Sequence, residues 1–280
     1  MSWLKAGRRQ RRHPAAGYAV LAGGLVVVAV AYGALTATSG SAAAPAQSAT
    51  DIAQGRALFE ATCSSCHGLN AQGTAGVAPS LIGAGAAAVD FQMSTGRMPL
   101  KESDAQAARK PPPPEFTGPV GEQRIHDIAA WIDSLGGGPT IPDSSQVDTA
   151  GANTALGQQL FSTNCSQCHG FAGAGGALTY GAYAPALTAA TPTQIYEAML
   201  TGPEKMPVFG DGTITPAEKR DIIAYITATR AEPNPGGLSL GRTGPVTEGL
   251  VAWLGGLGFL VLIAMWITAK RRDPRPTGME

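Results

Sequence analysis

The sequence predicts an all-α protein in which two similar globular units lie between two membrane-spanning helices. Two uncharged apolar runs, residues 18–38 and 251–269, stand near the ends of the 280-residue chain. Each is long enough for a helix to cross a ~30 Å hydrocarbon core. The two segments between these runs carry the same motifs in the same order. An ordered internal similarity of this kind indicates a duplication.

The patterns divide the chain into nine segments, because stretches rich in Ala, Ser, Pro and Gly read as linkers between periodic runs. In chain order they are a basic cytoplasmic tail (1–16), a spanning helix (17–38), a linker (39–50), the first unit (51–138), a linker (139–153), the second unit (154–232), a linker (233–248), a spanning helix (249–269) and a basic cytoplasmic tail (270–280).

Positive charge at both tips predicts how the chain lies in the cell membrane. Residues 1–13 contain five Lys or Arg and no acid, and residues 270–280 contain four Lys or Arg against two acids. Because positive flanks stay in the cytoplasm, we expect a multi-pass protein whose two units are extracytoplasmic. A cleaved signal peptide is the alternative for the first run, since residues 42–44 resemble a cleavage site. We favour a retained anchor because the run is longer than a typical signal core.

The body between the tips is acidic, with 11 Lys or Arg against 18 Asp or Glu. This balance argues against a nucleic-acid partner and favours a basic protein partner. Acids that only keep the surface soluble would give the same composition.

All four cysteines fall within two Cys-x-x-Cys-His pentapeptides, residues 63–67 and 165–169. Two thiols on one turn can each bond to a haem vinyl group, and the adjacent imidazole then reaches the iron. We therefore predict two covalently bound haem c groups. Their predicted anchors are Cys63 and Cys66 with the iron ligand His67, and Cys165 and Cys168 with the iron ligand His169.

Two other uses of Cys-x-x-Cys fit less well. A thioredoxin-like redox site does not call for the following His and occurs near a βαβ pattern, which neither motif has. A zinc site needs its cysteine pairs close together, whereas these pairs lie 102 residues apart.

Methionine is the predicted second axial ligand of each iron. Of the four histidines, only His13 and His126 lie outside the motifs, so two bis-histidine irons cannot form in one chain. Met98 and Met206 are each followed by Pro and precede the last helix of their unit. A thioether ligand raises the haem potential, which suits an electron carrier late in a respiratory chain.

Several neighbouring residues are interpreted as structural. Met93 remains an alternative ligand to Met98, and Met199 has the helical surroundings of a core residue. His126 is expected to be a partly exposed helix residue. Trp131 and Tyr225 are expected to pack in the core near the haem edge.

The two units share Gly-x-x-Leu-Phe, Cys-x-x-Cys-His, Pro-x-Leu and Met-Pro, followed by a closing helix with an aromatic residue. We predict helices over residues 52–62, 121–134, 155–163 and 216–229, with Gly- and Pro-rich loops between them. The first unit is longer: 33 residues separate Met98 from Trp131, but only 19 separate Met206 from Tyr225. The extra length contains four prolines, residues 111–114, a stiff extended spacer. It is either a partner contact or a tolerated insertion.

This series of motifs resembles a class I cytochrome c domain. Two such domains between two membrane helices resemble, over nearly the whole chain, the di-haem cytochrome c subunit of the actinobacterial menaquinol:cytochrome c reductase, the cytochrome bcc complex. The resemblance implies that electrons come from a Rieske iron–sulfur subunit, pass through both haems and leave to a terminal cytochrome c oxidase. It places the quinol site on a separate cytochrome b subunit, so that this chain alone catalyses no substrate reaction.

Two alternative functions belong to other classes of protein. A free-standing, membrane-anchored di-haem carrier would serve several enzymes and would have no stable partner subunits. A di-haem peroxidase would need one iron with an open distal position, and the two Met-Pro sites argue against it.

Overall fold

The computed structural model describes residues 15–37, 48–100, 106–232, 242 and 245–270. Most of the predicted basic tails and of the linkers 39–50 and 233–248 lies outside these ranges, as does His13. Within them the protein is mostly helical, which confirms the all-α part of the predicted fold class. A single small antiparallel sheet, formed by β1 (Gly176–Ala177) and β2 (Tyr183–Ala184), is the exception in the described part.

The helices follow the predicted order. They are α1 (Ala15–Ala37), α2 (Ala49–Thr62), α3 (Ser64–His67), α4 (Ala86–Ser94), α5 (Gly118–Ser134), α6 (Ser144–Val147), α7 (Thr154–Asn164), α8 (Ser166–His169), α9 (Pro192–Thr201), α10 (Pro216–Ala231) and α11 (Pro245–Lys270), with 3-10 turns at Pro114–Phe116 and Thr179–Gly181. The four predicted helices are confirmed as α2, α5, α7 and α10, each slightly longer than expected.

Helices α4 and α9 lie between the four predicted helices, where loops were predicted. For α4 the prediction of a loop was wrong, whereas α9 contains Met199, for which helical surroundings were expected. The reason is that α4 has little polar surface: Ala86, Ala87, Val89, Asp90, Phe91 and Met93 are all buried. A helix buried on most sides lacks the polar stripe from which helical periodicity is recognised. In α9 a capping box between Thr191 and Gln194 fixes the first turn.

Each unit is built on a crossing between its opening and closing helices, α2 with α5 and α7 with α10. Gly55 and Gly157 stand at these crossings. A Cβ atom on Gly55 would overlap the carbonyl oxygen of Asp127, and one on Gly157 would overlap that of Asp221. The glycine of Gly-x-x-Leu-Phe is therefore needed for close approach of two backbones.

A pair of tilted aromatic rings fills the centre of each crossing. The ring centroids of Phe59 and Trp131 are 4.5 Å apart, and those of Phe161 and Tyr225 are 5.2 Å apart. All four side chains are buried, and the Tyr225 hydroxyl donates a hydrogen bond to the Phe171 carbonyl at 3.0 Å. Trp131 and Tyr225 are thus core residues, as predicted.

The two units pack against each other through α4 and α9. Gln194 Nε2 donates to Ser94 Oγ at 3.1 Å across this contact. The buried carboxyl group of Glu197 lies beside Asp90, whose Oδ1 is 3.7 Å from His126 Nε2. The His126 side chain is half exposed, which agrees with its interpretation as a helix residue.

A second contact joins the units through the longer loop of the first one. Gln106 Nε2 donates to the Tyr183 carbonyl at 2.7 Å, and the Tyr183 N–H donates to Gln106 Oε1 at 3.0 Å. The Ala107 N–H donates to Glu204 Oε1 at 3.0 Å. The extra length of the first unit therefore contacts the second unit.

The structure supports one of the two predicted membrane spans. Ala252–Lys270, within α11, has a mean hydropathy of 1.9 and is long enough to cross a membrane. In α1 the apolar stretch among the described residues, Leu21–Ala31, is shorter than a span. The prediction of a second spanning helix is not confirmed.

Candidate haem sites

The two Cys-x-x-Cys-His motifs adopt the same backbone conformation. The N–H groups of Cys63 and Cys165 donate to the carbonyls of Phe59 and Phe161, each at 2.8 Å, and so prolong α2 and α7. The following short helices, α3 and α8, place both cysteines and the histidine of each motif on one turn. The four thiols are free. Each turn thus offers two thiols side by side to one ligand.

The imidazole of each motif is oriented by the Pro-x-Leu sequence of its own unit. His67 Nδ1 lies 2.9 Å from the Pro79 carbonyl oxygen, and His169 Nδ1 lies 3.0 Å from that of Pro185. A carbonyl oxygen only accepts hydrogen bonds, so each Nδ1 carries the proton and donates. The lone pair of each Nε2 is then available to a metal ion.

Burial favours the neutral form of the His169 imidazole, which is the form that a metal ligand must have. It lowers the pKa of His169, against the smaller opposing effect of the bond to the Pro185 carbonyl. A neutral ring with a protonated Nδ1 is the tautomer suited to binding iron through Nε2.

The predicted methionine ligands lie against the cores beside their motifs. Met206 and His169 border the same cleft of the second unit, together with Cys165 and Cys168. Met98 and Cys63 pack against the core cluster that contains Phe59 and Trp131. The structure therefore brings the four predicted residues of the second site to one cleft, and in the first unit it places Cys63 and Met98 against the same core.

The two other methionines near the sites, Met93 and Met199, are core residues of helices that occupy equivalent positions in the two units. Met93 on α4 and Met199 on α9 are 5% and 2% exposed and belong to the hydrophobic clusters of their units. Met199 also borders the cleft of the second unit. The assignment of Met98 and Met206 as ligands stays a prediction.

The cleft of the second unit is open to solvent and lined mainly by apolar side chains. Its open space is about 1120 Å³, including solvent at the mouth, and its walls are mainly apolar. The apolar lining includes Phe161, Leu187, Ile195, Phe209 and Ile222. Two thiols, an oriented imidazole, a thioether and apolar walls are the donor set and surroundings that haem c requires.

Four residues of the first unit also border this cleft, and sequence reasoning missed them. They are Phe91, Arg97, Gln106 and Arg109. The one sequence signal was the greater length between Met98 and Trp131. That length did not reveal that the loop reaches the other unit.

The thiols are poorly suited to thioredoxin-like exchange. Burial, as the largest cause, raises the pKa of Cys63 and raises that of Cys165 to about 11. Disulfide exchange needs a thiolate, and catalytic Cys-x-x-Cys motifs lower the pKa of the attacking thiol. The zinc alternative also lacks support, since the described residues contain no group of three or more His, Cys, Asp or Glu that could hold a metal ion.

Comparison with known proteins agrees with this arrangement. The family model described as "Cytochrome c" matches residues 52–136, and the model described as "Cytochrome C oxidase, cbb3-type, subunit III" matches residues 152–226. Two units of this type support haem c as the cofactor of the chain.

Curated relatives match along almost the entire chain under one name, "Cytochrome bc1 complex cytochrome c subunit". The relative from Corynebacterium diphtheriae is 42% identical over 94% of this chain and 96% of its own length. That from Mycobacterium leprae is 44% identical over 89% and 84%, and that from Mycobacterium tuberculosis is 42% identical over 94% and 93%. The chain therefore belongs to the family of cytochrome c subunits of the cytochrome bc1 complex.

Proposed function

We propose that this chain is the di-haem subunit of a respiratory quinol:cytochrome c reductase and carries electrons from a Rieske iron–sulfur subunit to a terminal oxidase. The observation that carries the proposal is the duplicated histidine geometry. In both units the motif imidazole donates through Nδ1 to a proline carbonyl and keeps Nε2 for a metal. A chain that binds one redox group would need this arrangement once.

Each residue of the two sites has a role that follows from its chemistry. Cys63 and Cys66, and equally Cys165 and Cys168, would hold the cofactor through thioether bonds and prevent its loss outside the cell. His67 and His169 would bind iron on one side, and Met98 and Met206 on the other. Bound haem c supplies one-electron redox chemistry, at a potential that methionine ligation raises.

The packing of the two units supports transfer of electrons between them. Helices α4 and α9 are in direct contact, and residues 106–109 lie over the cleft of the second unit. A carrier with two redox groups needs its domains held at a fixed separation. The hydrogen bonds between Ser94 and Gln194 and between Gln106 and Tyr183 provide that constraint.

The membrane arrangement of the proposal has two spanning helices with both units on the extracytoplasmic side. Helix α11 contains a stretch suited to a span and ends at the basic Lys270. Helix α1 has 23 residues, and at a rise of ~1.5 Å per residue it is ~34 Å long, enough to cross a ~30 Å core. Basic flanks on the cytoplasmic side fit the charges at both tips.

The proposed partners are the other subunits of the reductase, cytochrome b and the Rieske protein, and the terminal oxidase, with no nucleic acid. The names of the relatives place those proteins in a cytochrome bc1 complex. The acidic balance of residues 14–269 suits a basic docking partner among them.

Purification in mild detergent, with subunit identification and a pyridine haemochrome assay, tests the proposal. We expect two haems per chain that stay attached after denaturation, together with co-purified cytochrome b. Replacing Cys66 and Cys168 by Ala should lower the amount of covalent haem. Unchanged covalent haem in that variant would overturn the assignment of the motifs.

Removal of residues 247–280 distinguishes a subunit from a free-standing carrier. A subunit should keep both haems but lose co-purification with cytochrome b and quinol-driven electron transfer. A carrier should turn over normally without stable partners. Release of the truncated protein from the membrane would instead show that the first apolar segment is cleaved.

A further inference from the structure

A buried arginine of the first unit faces the cleft of the second. Arg97 is 7% exposed, lies over the Phe91 ring with 4.9 Å between its guanidinium carbon and the ring centroid, and borders the cleft. Its Nη1 has no hydrogen-bond partner among the described residues. A buried guanidinium with an unsatisfied N–H is costly unless an anion lies beside it.

Two more arginines add positive charge at the same place. Arg109 borders the cleft as well. The pKa of Arg230 is lowered by its burial and, second, by the charge of Arg109. Nε and Nη2 of Arg230 have no partner in the described part of the chain. Arg97 and Arg109 thus border the cleft, and Arg109 lies close enough to Arg230 for their charges to interact.

Protein carboxylates neutralise this charge only in part within the described residues. The ion pairs there join Arg56 to Glu60, His126 to Asp90 and Lys219 to Asp211, and involve none of the three arginines. Glu204 borders the cleft and its negative charge favours the charged form of Arg97. Arg97, Arg109 and Lys205 border the same cleft, so its lining carries more positive than negative charge and suits an anionic ligand.

The arginines are held over the cleft by the contact between the units. Gln106 makes two hydrogen bonds to the backbone of Tyr183, and Ala107 is bonded to Glu204. The Lys110 N–H donates to the Thr95 carbonyl at 3.3 Å, which ties the loop back to the end of α4. Arg109 lies within this tied segment, and Arg97 lies two residues after Thr95, to which the segment is bonded. Their position is a property of the folded interface.

We propose that Arg97 and Arg109 of the first unit bind the propionate carboxylates of the haem held in the second unit. This inference rests on the proposed function, because it takes haem c as the occupant of the cleft. Haem carries two propionates, and a haem attached to Cys165 and Cys168 would share this cleft with Arg97 and Arg109. Guanidinium groups bind carboxylates through paired, charge-assisted hydrogen bonds. The second haem site is then complete only with the first unit in place.

The proposal predicts a specific change in the redox potential of the second haem. A positive charge beside the propionates disfavours the additional positive charge of the oxidised iron. Its removal should therefore lower the potential. We expect a change on the order of tenfold in the ratio of reduced to oxidised haem, which corresponds to about 59 mV for one electron.

The experiment is a spectroelectrochemical titration of the detergent-purified complex that contains the full chain. The variants are Arg97→Gln, Arg109→Gln and the double variant, and the Met206→His variant identifies the signal of the second haem. Arg56→Gln is the matched control, because it removes one positive charge from the first unit at an exposed site paired with Glu60. Arg97→Lys keeps the charge but loses the forked donor and should shift the potential less than Arg97→Gln.

The outcomes separate this inference from the proposed function. A lower potential of the second haem, with the first haem and the control unchanged, supports the propionate contact. Equal shifts of both haems, or no shift in the double variant, overturn it while the haem assignment stands. Unchanged potentials with loss of a co-purified subunit would show that the arginines bind a partner's acid instead. Absence of covalent haem from the parent chain would mean that the proposed function itself has failed.

Discussion

The two cytochrome c units share the same motif geometry and differ in two loops. Both units have a glycine at the helix crossing, a pair of aromatic rings and a hydrogen bond from the motif histidine to a proline carbonyl. In the second unit 16 residues separate the bonded histidine and proline, against 12 in the first. The additional residues extend the single bridge between Thr74 and Ala78 of the first unit into the β1–β2 hairpin.

These two departures from the repeat meet each other. Gln106 lies in the longer loop of the first unit, and its partner Tyr183 lies in the hairpin of the second. The repeated parts therefore contain the motif cysteines and histidines, whereas the longer loop and the hairpin, which differ between the units, contact each other. The comparison teaches that one contact between the units is built from residues that break the internal symmetry, and the other from the matching helices α4 and α9.

The largest expected effect tests whether the two sites have equivalent ligands. Met206→His and Met98→His should each lower the potential of their own haem by hundreds of millivolts, within the ~0.8 V range that axial ligands span. Redox titration of each variant measures this effect. Met199→Leu and Met93→Leu are the matched controls and should leave the potentials nearly unchanged, since both residues lie in the cores. A large shift of the haem potential in Met199→Leu or Met93→Leu would instead identify that methionine as the iron ligand. The two sites would then not have equivalent ligands.

A second prediction tests whether the two helix crossings are equally constrained. Gly55→Ala and Gly157→Ala should each destabilise their own unit by roughly 3 kcal/mol, because the new methyl group meets a backbone carbonyl that cannot move aside. Denaturant unfolding of the haem-loaded protein measures the loss. Gly212→Ala is a suitable control, since open space surrounds that position. A cost confined to one unit would show that the crossings are not equivalent.

A third prediction concerns the two acids at the interface between the units. Burial, followed by the proximity of Asp90, raises the pKa of Glu197 from 4.5 to about 10. Neither carboxyl oxygen of Glu197 has a hydrogen-bond partner among the described residues, so burial favours the protonated, neutral carboxyl group. The folded state keeps this proton at pH values where the unfolded chain has lost it. Stability should therefore fall as the pH rises from about 4.5 towards 10.

Glu197→Gln removes that titration while keeping the shape of the side chain. The melting temperature of the variant should depend less on pH over this range than that of the parent, with His126 and Asp90 still in place. Glu122→Gln changes an exposed acid on α5 and serves as the control. If the melting temperatures of the parent and of Glu197→Gln change with pH in the same way, the result would show that Glu197 is ionised in the folded protein.

The sequence alone predicts whatever depends on neighbours along the chain. The spacing of Cys63, Cys66 and His67 on one turn, and the periodicity of α5 and α10, follow from local geometry. Helix α4 did not, because its apolar sides face two different units and leave no polar stripe. Arg97 was missed for a related reason: it adjoins Met98 in sequence, yet its side chain borders the cleft of the other unit. Such contacts depend on how distant segments pack together, which no local sequence pattern indicates.

The bond between Gln106 and Tyr183 also determines which parts of the chain can be exchanged between relatives. The amide of Gln106 pairs only with the backbone N–H and carbonyl of Tyr183, so the identity of the side chain at that position does not matter to the bond. What matters is that loop and hairpin are long enough to reach each other. A chimera with one domain from a relative should thus tolerate sequence differences at the junction, provided that both lengths are transplanted together.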